Sequence, residues 1–218
     1  MNHDDLFNTL RKNGDPERAA QMRAYMRDQF AYLGVPAKKR QELCKEFFKG
    51  AKKEKTVDWG FVSDCWREPA REFQYIAADY LVVVQDCLTP DDIPKIRDLA
   101  IEKSWWDSVD GLDSVVGHIA FRYPEVNATI LEWSLDENIW LRRIAIDHQL
   151  KRKEKTDTEF FEKILVNNFG TTEFFINKAI GWSLREYSKS NPEWVRDFVA
   201  RYNDRLAPLS KKEASKYL

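Results

Sequence analysis

The chain has 218 residues, of which 43% are hydrophobic and 33% are charged, and its formal net charge is −1. This length is enough for an ordinary hydrophobic core, which excludes a peptide or a fibre. The nearly balanced charge does not indicate a globally basic nucleic-acid binder. Any site for a polyanion must therefore come from local clustering of lysine and arginine.

The N-terminal segment and the hydropathy pattern indicate a cytoplasmic protein. Asp4 and Asp5 stand where a signal peptide would be apolar, and no apolar run approaches the roughly 18 residues of a membrane span. The three cysteines form no Cys-x-x-Cys pair. We therefore expect reduced thiols with a structural role.

Amphipathic helix dominates the chain, which has only 8 glycines and 8 prolines. The charged run Lys49–Lys55 is expected to be a solvated loop. Apolar residues at three- and four-residue steps predict helices over Arg71–Val84, Ile139–Lys151 and Phe174–Tyr187. A proline ahead of acidic residues, typical of a helix start, occurs in Thr89–Asp92, Tyr123–Glu125 and Ser190–Glu193.

An internal repeat of 34 residues runs through the chain. Each unit is marked by a small residue, at Ala77, Gly111, Ala145 and Ala179. Two positions later stand Asp79, Asp113 and Asp147, with Gly181 as the exception in the fourth unit. A period of this length with two helices per unit is typical of a helical solenoid. We therefore expect an all-α fold, a curved solenoid (α-α superhelix) that forms a single domain over residues 1–218.

One stripe of the repeat helices carries residues that do not suit a core. At 100° per residue, Trp106, Asp110 and Trp182 fall together, roughly opposite the apolar positions, and Arg185 joins them. Asp110 stands where two other units have isoleucine. Single tryptophans are more often core residues, and single aspartates are more often solvated. Their convergence on one stripe favours a functional site.

Several basic residues of the C-terminal half, among them Lys178 and Arg185, lie on or beside this stripe. They are either scattered surface charge or a groove that follows DNA phosphates while the aromatic residues contact sugar or base. No Gly-rich phosphate loop, Ser-His-Asp arrangement or His-x-x-x-His motif occurs. We therefore expect no ATP chemistry, no metal site and no cofactor.

Four segments of the chain resemble the AlkD-type DNA alkylation repair enzymes, which are bacterial DNA glycosylases built of HEAT-like repeats. The segments are Lys103–Asp110 (KSWWDSVD), Asn138–Arg143 (NIWLRR), Lys178–Tyr187 (KAIGWSLREY) and Leu206–Lys211 (LAPLSK). The first is the most specific. The resemblance extends over nearly the whole chain.

The resemblance implies excision of cationic N3- and N7-alkylated purines, such as 3-methyladenine and 7-methylguanine, from duplex DNA in base excision repair, without flipping of the base. It implies that Asp110 is the catalytic carboxylate and that Trp106 and Trp182 contact the sugar. The basic residues expected at the DNA are Arg142, Arg143, Lys178, Arg185 and Lys211. We expect a monomer that is cytoplasmic, associates with the nucleoid when acting, and binds no membrane.

Two departures and two alternatives accompany this interpretation. The Val35–Arg40 turn (VPAKKR) is shorter than the family's Thr-Pro-x-Arg-Arg turn, so no phosphate contact is assigned to it. Arg142 stands where the family has an uncharged residue. The alternatives are a non-catalytic HEAT-like solenoid that binds distorted DNA, and a protein-interaction scaffold. A protein-interaction scaffold would have an apolar groove, whereas this stripe combines aromatic, acidic and basic residues.

Overall fold

The computed structural model describes residues 2–218, and this part of the chain is all-α. Its one β feature is an isolated bridge between Ala31 and Ala70. The predicted fold class is confirmed in this respect. Among the described residues, no helix has the length and apolar character needed to cross a membrane.

The helices form two compact units. The first ends at Leu88 and contains α1 (His3–Lys12), α2 (Pro16–Tyr25), α3 (Ala37–Glu54), α4 (Trp59–Arg67) and α5 (Arg71–Val83). The second, Thr89–Leu218, contains α6 (Ile93–Ile101), α7 (Trp106–Arg122), α8 (Asn127–Trp133), α9 (Ile139–Asp147), α10 (Thr158–Asn167), α11 (Phe174–Ser188), α12 (Pro192–Arg201) and α13 (Pro208–Ala214). The single domain over residues 1–218 and the curvature of the solenoid stay predictions.

The repeat found in the sequence corresponds to four helices, α5, α7, α9 and α11. Three of the four small marker residues, Ala77, Ala145 and Ala179, are fully buried. In the second unit α7 packs against α9, α9 against α11, and α11 against α13. This neighbour-to-neighbour stacking is what repeated helix pairs need to bury their apolar faces.

The apolar positions of the repeat form the core of the second unit. Leu112, Ile146 and Ile180, each one position after a small marker residue, are at most 1% exposed. Leu150, an apolar residue five positions after the marker Ala145, is only half-buried, because α9 ends before it.

The end of α9 differs from the sequence prediction, which extended this helix to Lys151. The helix ends at Asp147, and the chain turns through a left-handed residue at Lys151 (φ 66°). The turn lies directly against α7, since a Cβ on Gly117 would stand 2.1 Å from the carbonyl oxygen of His148. This close approach between neighbouring helices ends α9 earlier than its own periodicity indicates.

The expectation of a loop at Lys49–Lys55 is wrong. Residues up to Glu54 form the last turns of α3, and Lys55 ends the helix in the left-handed conformation (φ 52°). Lysine, alanine and glutamate are good helix formers, and the run contains no proline. A run of charged residues is therefore not sufficient to predict the end of a helix.

In the first unit, the segment before α3 is held by a buried carboxylate. The backbone N–H groups of residues 33–35 donate to Glu72 over 2.8 to 3.1 Å. The expected turn over Val35–Arg40 is wrong from Ala37 onwards, because these residues form the first turn of α3. Arg40 is 9% exposed, and its guanidinium lies 3.5 Å from the carboxylate of Asp79. This arginine therefore has a structural partner.

The three cysteines are free thiols in the first unit. Cys44 and Cys65 are buried, and burial raises the pKa of both, that of Cys44 to about 12. Thiols with raised pKa values are protonated and unreactive at neutral pH, as expected for structural residues.

Candidate active site

The candidate site is built around Asp110 on α7. The helix begins at Trp106, and Asp110 follows one turn later, so the two side chains lie along the same face. The opposite face is apolar, with Val109 and Leu112 fully buried. Trp106 is half-buried, and the Asp110 side chain is 24% exposed. Solvent, and hence a ligand, can reach this carboxylate.

Arg143 on the neighbouring helix α9 binds the Asp110 carboxylate with two donors on one edge of its guanidinium. Its Nε donates to Oδ1 over 2.6 Å, and its Nη2 donates to Oδ2 over 2.8 Å. Its Nη1 donates to the backbone carbonyl of Phe175, at the start of α11, over 2.8 Å. The Arg143 side chain is 2% exposed. Three successive repeat helices thus meet at one buried guanidinium.

Burial and pairing act in opposite directions on the two charges. Burial raises the pKa of Asp110, and the hydrogen bonds and positive charge of Arg143 oppose that rise without cancelling it. Burial also lowers the pKa of Arg143, but the surrounding aspartates more than compensate, so its pKa is raised. The arginine therefore stays charged and holds the carboxylate in one orientation.

Trp182 on α11 carries three cations around its ring. The guanidinium carbons of Arg143 and Arg185 lie 5.5 and 5.7 Å from the ring centroid, and the Lys178 ammonium lies at 5.8 Å. These distances are within the range of cation–π attraction. The indole is half-buried, so part of its surface remains free for a ligand.

Two of these cations are tied to α13 by Glu213, which is 4% exposed. Lys178 donates to Oε1 over 2.7 Å and Arg185 to Oε2 over 2.8 Å. The hydrogen bonds of Lys178 and Lys216 lower the pKa of Glu213 to about 2. Both cations are about a quarter exposed, so they remain accessible to an anion.

The close contact of α11 and α13 explains why Gly181 interrupts the row of aspartates in the repeat. A Cβ at this position would stand 2.5 Å from the Cβ of Glu213. No side chain fits there, so the fourth unit cannot carry an aspartate as the second and third do.

Next to Asp110 lies an open cleft of about 330 Å³. Polar and charged residues line most of it, together with one aromatic ring and one leucine. The lining residues are Asp110, Asp113, Ser114, Asp147, Leu150, Lys151, Trp182, Arg185 and Glu186. A mixed lining of this kind suits a charged ligand better than an apolar one.

The floor of the site contains two buried carboxyl groups, those of Asp113 and Asp147, which are 5% and 1% exposed. With Asp110 they bring carboxylate oxygens within 4.8 Å of one another. Oxygen ligands at such spacing suit a hard divalent cation. Here the Arg143 guanidinium supplies positive charge, since its Nε also lies 3.9 Å from Asp147 Oδ2.

The structure brings together most of the predicted site residues. Asp110, Arg143, Trp182, Arg185 and Lys178 form one connected group, and Trp106 lies one turn from Asp110. The other two predicted DNA-contacting residues have separate partners. Arg142 Nε donates to Asn168 over 2.8 Å, and the Lys211 ammonium donates to the backbone carbonyl of Asn203 over 3.0 Å.

Sequence reasoning missed the roles of Asp147 and Glu213. Asp147 was visible as a repeated aspartate, but its burial beside Arg143 depends on how α7, α9 and α11 stack. Glu213 follows the motif Leu206–Lys211 and has no distinguishing spacing of its own. Its role depends on the packing of α13 against α11.

Comparison with known proteins identifies a family and similar solved structures. The family model for DNA alkylation repair enzymes matches residues 6–218. A predicted DNA alkylation repair enzyme from Enterococcus faecalis has a similar structure, with a TM-score of 0.85 and 36% sequence identity over 94% of this chain and 96% of that one. No protein of curated function matches the sequence.

Proposed function

Because the chain belongs to the family of DNA alkylation repair enzymes, we propose that it is a DNA glycosylase that excises N3- and N7-alkylated purines from duplex DNA. The observation that carries this proposal is Asp110, an accessible carboxylate at a cleft that also holds the half-buried ring of Trp182. Its substrates would be cationic bases such as 3-methyladenine and 7-methylguanine.

The chemistry of a cationic lesion suits a site with one carboxylate. Alkylation at N3 or N7 gives the purine a positive charge, so it leaves as a neutral base with its bonding electrons and without prior protonation. Positive charge then develops on the deoxyribose as the glycosidic bond stretches. Asp110 would stabilise that charge, as carboxylates do in glycosidases. It would also orient the water that adds to C1′ and accept the proton that this water loses.

Arg143 supports this role by its geometry. Its two parallel hydrogen bonds fix the plane of the Asp110 carboxylate and favour the ionised form. The sequence prediction placed Arg143 at the DNA backbone. Because the Arg143 side chain is 2% exposed and its guanidinium binds Asp110, we assign this residue to positioning the carboxylate and not to contact with phosphate.

The two tryptophans would shape the surroundings of the reacting sugar. Indole faces are attractive to cations, and Trp182 already has three cationic neighbours. Trp106 and Trp182 would favour the cationic sugar and base and exclude bulk water, which strengthens the field of Asp110. The open cleft offers no enclosed pocket for a flipped base, which supports excision with the lesion still stacked.

Duplex DNA would be held by basic residues around this cleft. Lys178 and Arg185 lie beside Trp182 and keep about a quarter of their side chains exposed. Arg142 and Lys211 complete the proposed set. Contacts of this kind supply affinity that does not depend on base sequence. We propose that the protein acts as a monomer, without a cofactor, at the cytoplasmic nucleoid.

A release assay tests the substrate class. Purified protein is incubated with duplex DNA carrying 3-methyladenine or 7-methylguanine, and with duplex carrying a neutral adduct such as 1,N6-ethenoadenine, and the free bases are identified. We expect both cationic bases to be released and the neutral one to remain, because only the cationic bases are good leaving groups. Binding without release of any base would instead favour a non-catalytic DNA-binding protein.

A further inference from the structure

Asp147 has no part in the reaction as proposed above, yet it lies in the floor of the same site. It is the last residue of α9, one turn after Arg143, and it is 1% exposed. A carboxyl group at this depth is costly unless it is paired or protonated. The Asp147 carboxyl group must therefore either share the positive charge of Arg143 or carry a proton.

The two oxygens of Asp147 have different surroundings. Oδ1 accepts a hydrogen bond of 2.6 Å from the hydroxyl of Ser183 on α11. Oδ2 lies 3.9 Å from Nε of Arg143, and within the described chain it has no hydrogen-bond partner. It faces the same guanidinium edge that donates to Asp110. Asp147 and Asp110 thus compete for one group on Arg143.

The buried cluster around Arg143 contains three carboxyl groups but only one cation. Asp110, Asp113 and Asp147 surround a single guanidinium, and full ionisation would leave the cluster strongly negative. Burial raises the pKa of Asp147 to about 7, and it raises the pKa of Asp113 well above its usual value. Asp147 therefore changes charge close to neutral pH.

We propose that Asp147 is a positioning residue that controls, through Arg143, how strongly the guanidinium neutralises Asp110. This proposal rests on the proposed glycosylase activity. With Asp147 protonated, Arg143 is held mainly by Asp110. With Asp147 ionised, the guanidinium is shared, and the site carries one more negative charge near the sugar. Stabilisation of a developing cation then increases, and excision becomes faster.

Several other groups act on the Asp147 carboxyl. Arg143 lies on its own helix, Asp110 and Asp113 face it from α7, and Ser183 faces it from α11. The remaining charged residues of the cleft are Lys151, Arg185 and Glu186. Asp147 is distinguished from them by its direct approach to the edge of Arg143 that binds Asp110.

The test is the pH dependence of single-turnover excision of 7-methylguanine between pH 6 and 8, with DNA binding saturated at each pH. We expect the wild-type rate to rise roughly tenfold across this range, the effect of one added charge near the sugar. Asp147→Asn should abolish the rise. Ser183→Ala keeps the carboxyl but removes a hydrogen bond that favours its ionised form, so the rise should move to higher pH.

Asp79→Asn is the matched control, because Asp79 holds the same repeat position but pairs with Arg40. It should keep the wild-type profile. The inference is overturned if wild type excises the base with a flat profile, if Asp147→Asn keeps the rise, or if Asp79→Asn loses it. Absence of release by wild type at every pH would remove the proposed function, and the inference with it.

Unfolding supplies a readout that does not require activity. An acid with a raised pKa in the folded state stabilises the fold at low pH and loses that contribution as pH rises through the folded value. The free energy of unfolding of wild type should therefore fall between about pH 4 and pH 7 relative to that of Asp147→Asn, and level off at higher pH. Parallel curves for the two proteins would contradict the proposed titration.

Discussion

Arg143 and Asp110 stabilise each other in the site. A guanidinium that is 2% exposed needs acceptors for its N–H groups, and it finds them in Asp110 and the carbonyl of Phe175. A carboxylate raised in pKa by burial needs a nearby cation to remain ionised. Only arginine offers two parallel donors together with a third for the backbone carbonyl.

Replacing Arg143 should affect stability and excision together. Arg143→Gln leaves the buried carboxyl groups without their cation, and we expect a loss of about 3 kcal/mol in the free energy of unfolding at pH 8. The loss should be smaller at pH 5, where the carboxyl groups take up protons in the variant. Chemical denaturation at both pH values measures this difference, and single-turnover kinetics should show slower excision.

Arg142→Gln is the matched control at the adjacent position. Arg142 is half-buried and bonds the Asn168 amide rather than a carboxylate of the site. Its replacement should cost less than about 1.5 kcal/mol and show little pH dependence. Equal losses for the two variants, at both pH values, would indicate that Arg143 has no special electrostatic role.

At the scale of helices, the site depends on how closely α11 and α13 approach. Gly181 permits this contact, and Glu213 then reaches both Lys178 and Arg185. The cations beside Trp182 therefore owe their positions to the last helix of the chain. A displacement of α13 should change both stability and DNA binding.

Gly181→Ala tests this contact. The added methyl group would lie 2.5 Å from the Cβ of Glu213, so α13 must move, and we expect a loss of roughly 1–3 kcal/mol in the free energy of unfolding. Gly50→Ala in α3 is the control, since a Cβ there meets nothing within 4 Å. It should stabilise the protein by about 0.5–1 kcal/mol, because alanine is the better helix former. A stabilising Gly181→Ala would show that the helices are not in close contact.

The helices themselves were largely predictable, but the end of α9 and the last turns of α3 were not. Apolar periodicity placed the starts of the helices at Arg71, Ile139 and Phe174 correctly. It extended α9 past Asp147 because the approach of the following turn to Gly117 is a contact between helices. Such contacts leave no local pattern in the sequence.

At the scale of the whole molecule, a net charge of −1 must still permit binding to a polyanion. We propose that DNA binds to a local group of cations, because Lys178 and Arg185 lie around Trp182 and are partly exposed. The sequence predicted Asp110 and Trp182 on one stripe, since helical spacing is readable from residue numbers. It did not predict the Arg143–Asp110 pair, because residues 33 positions apart meet only when α7 and α9 stack.

Single-turnover release of 7-methylguanine by Asp110→Asn shows whether the Asp110 carboxylate drives excision. The variant keeps the size of the side chain but loses the charge, so we expect the rate to fall on the order of 100-fold or more while duplex binding persists. Asp98→Asn, which removes an exposed carboxylate on α6, should leave the rate unchanged. Release by Asp110→Asn at the wild-type rate would contradict the account.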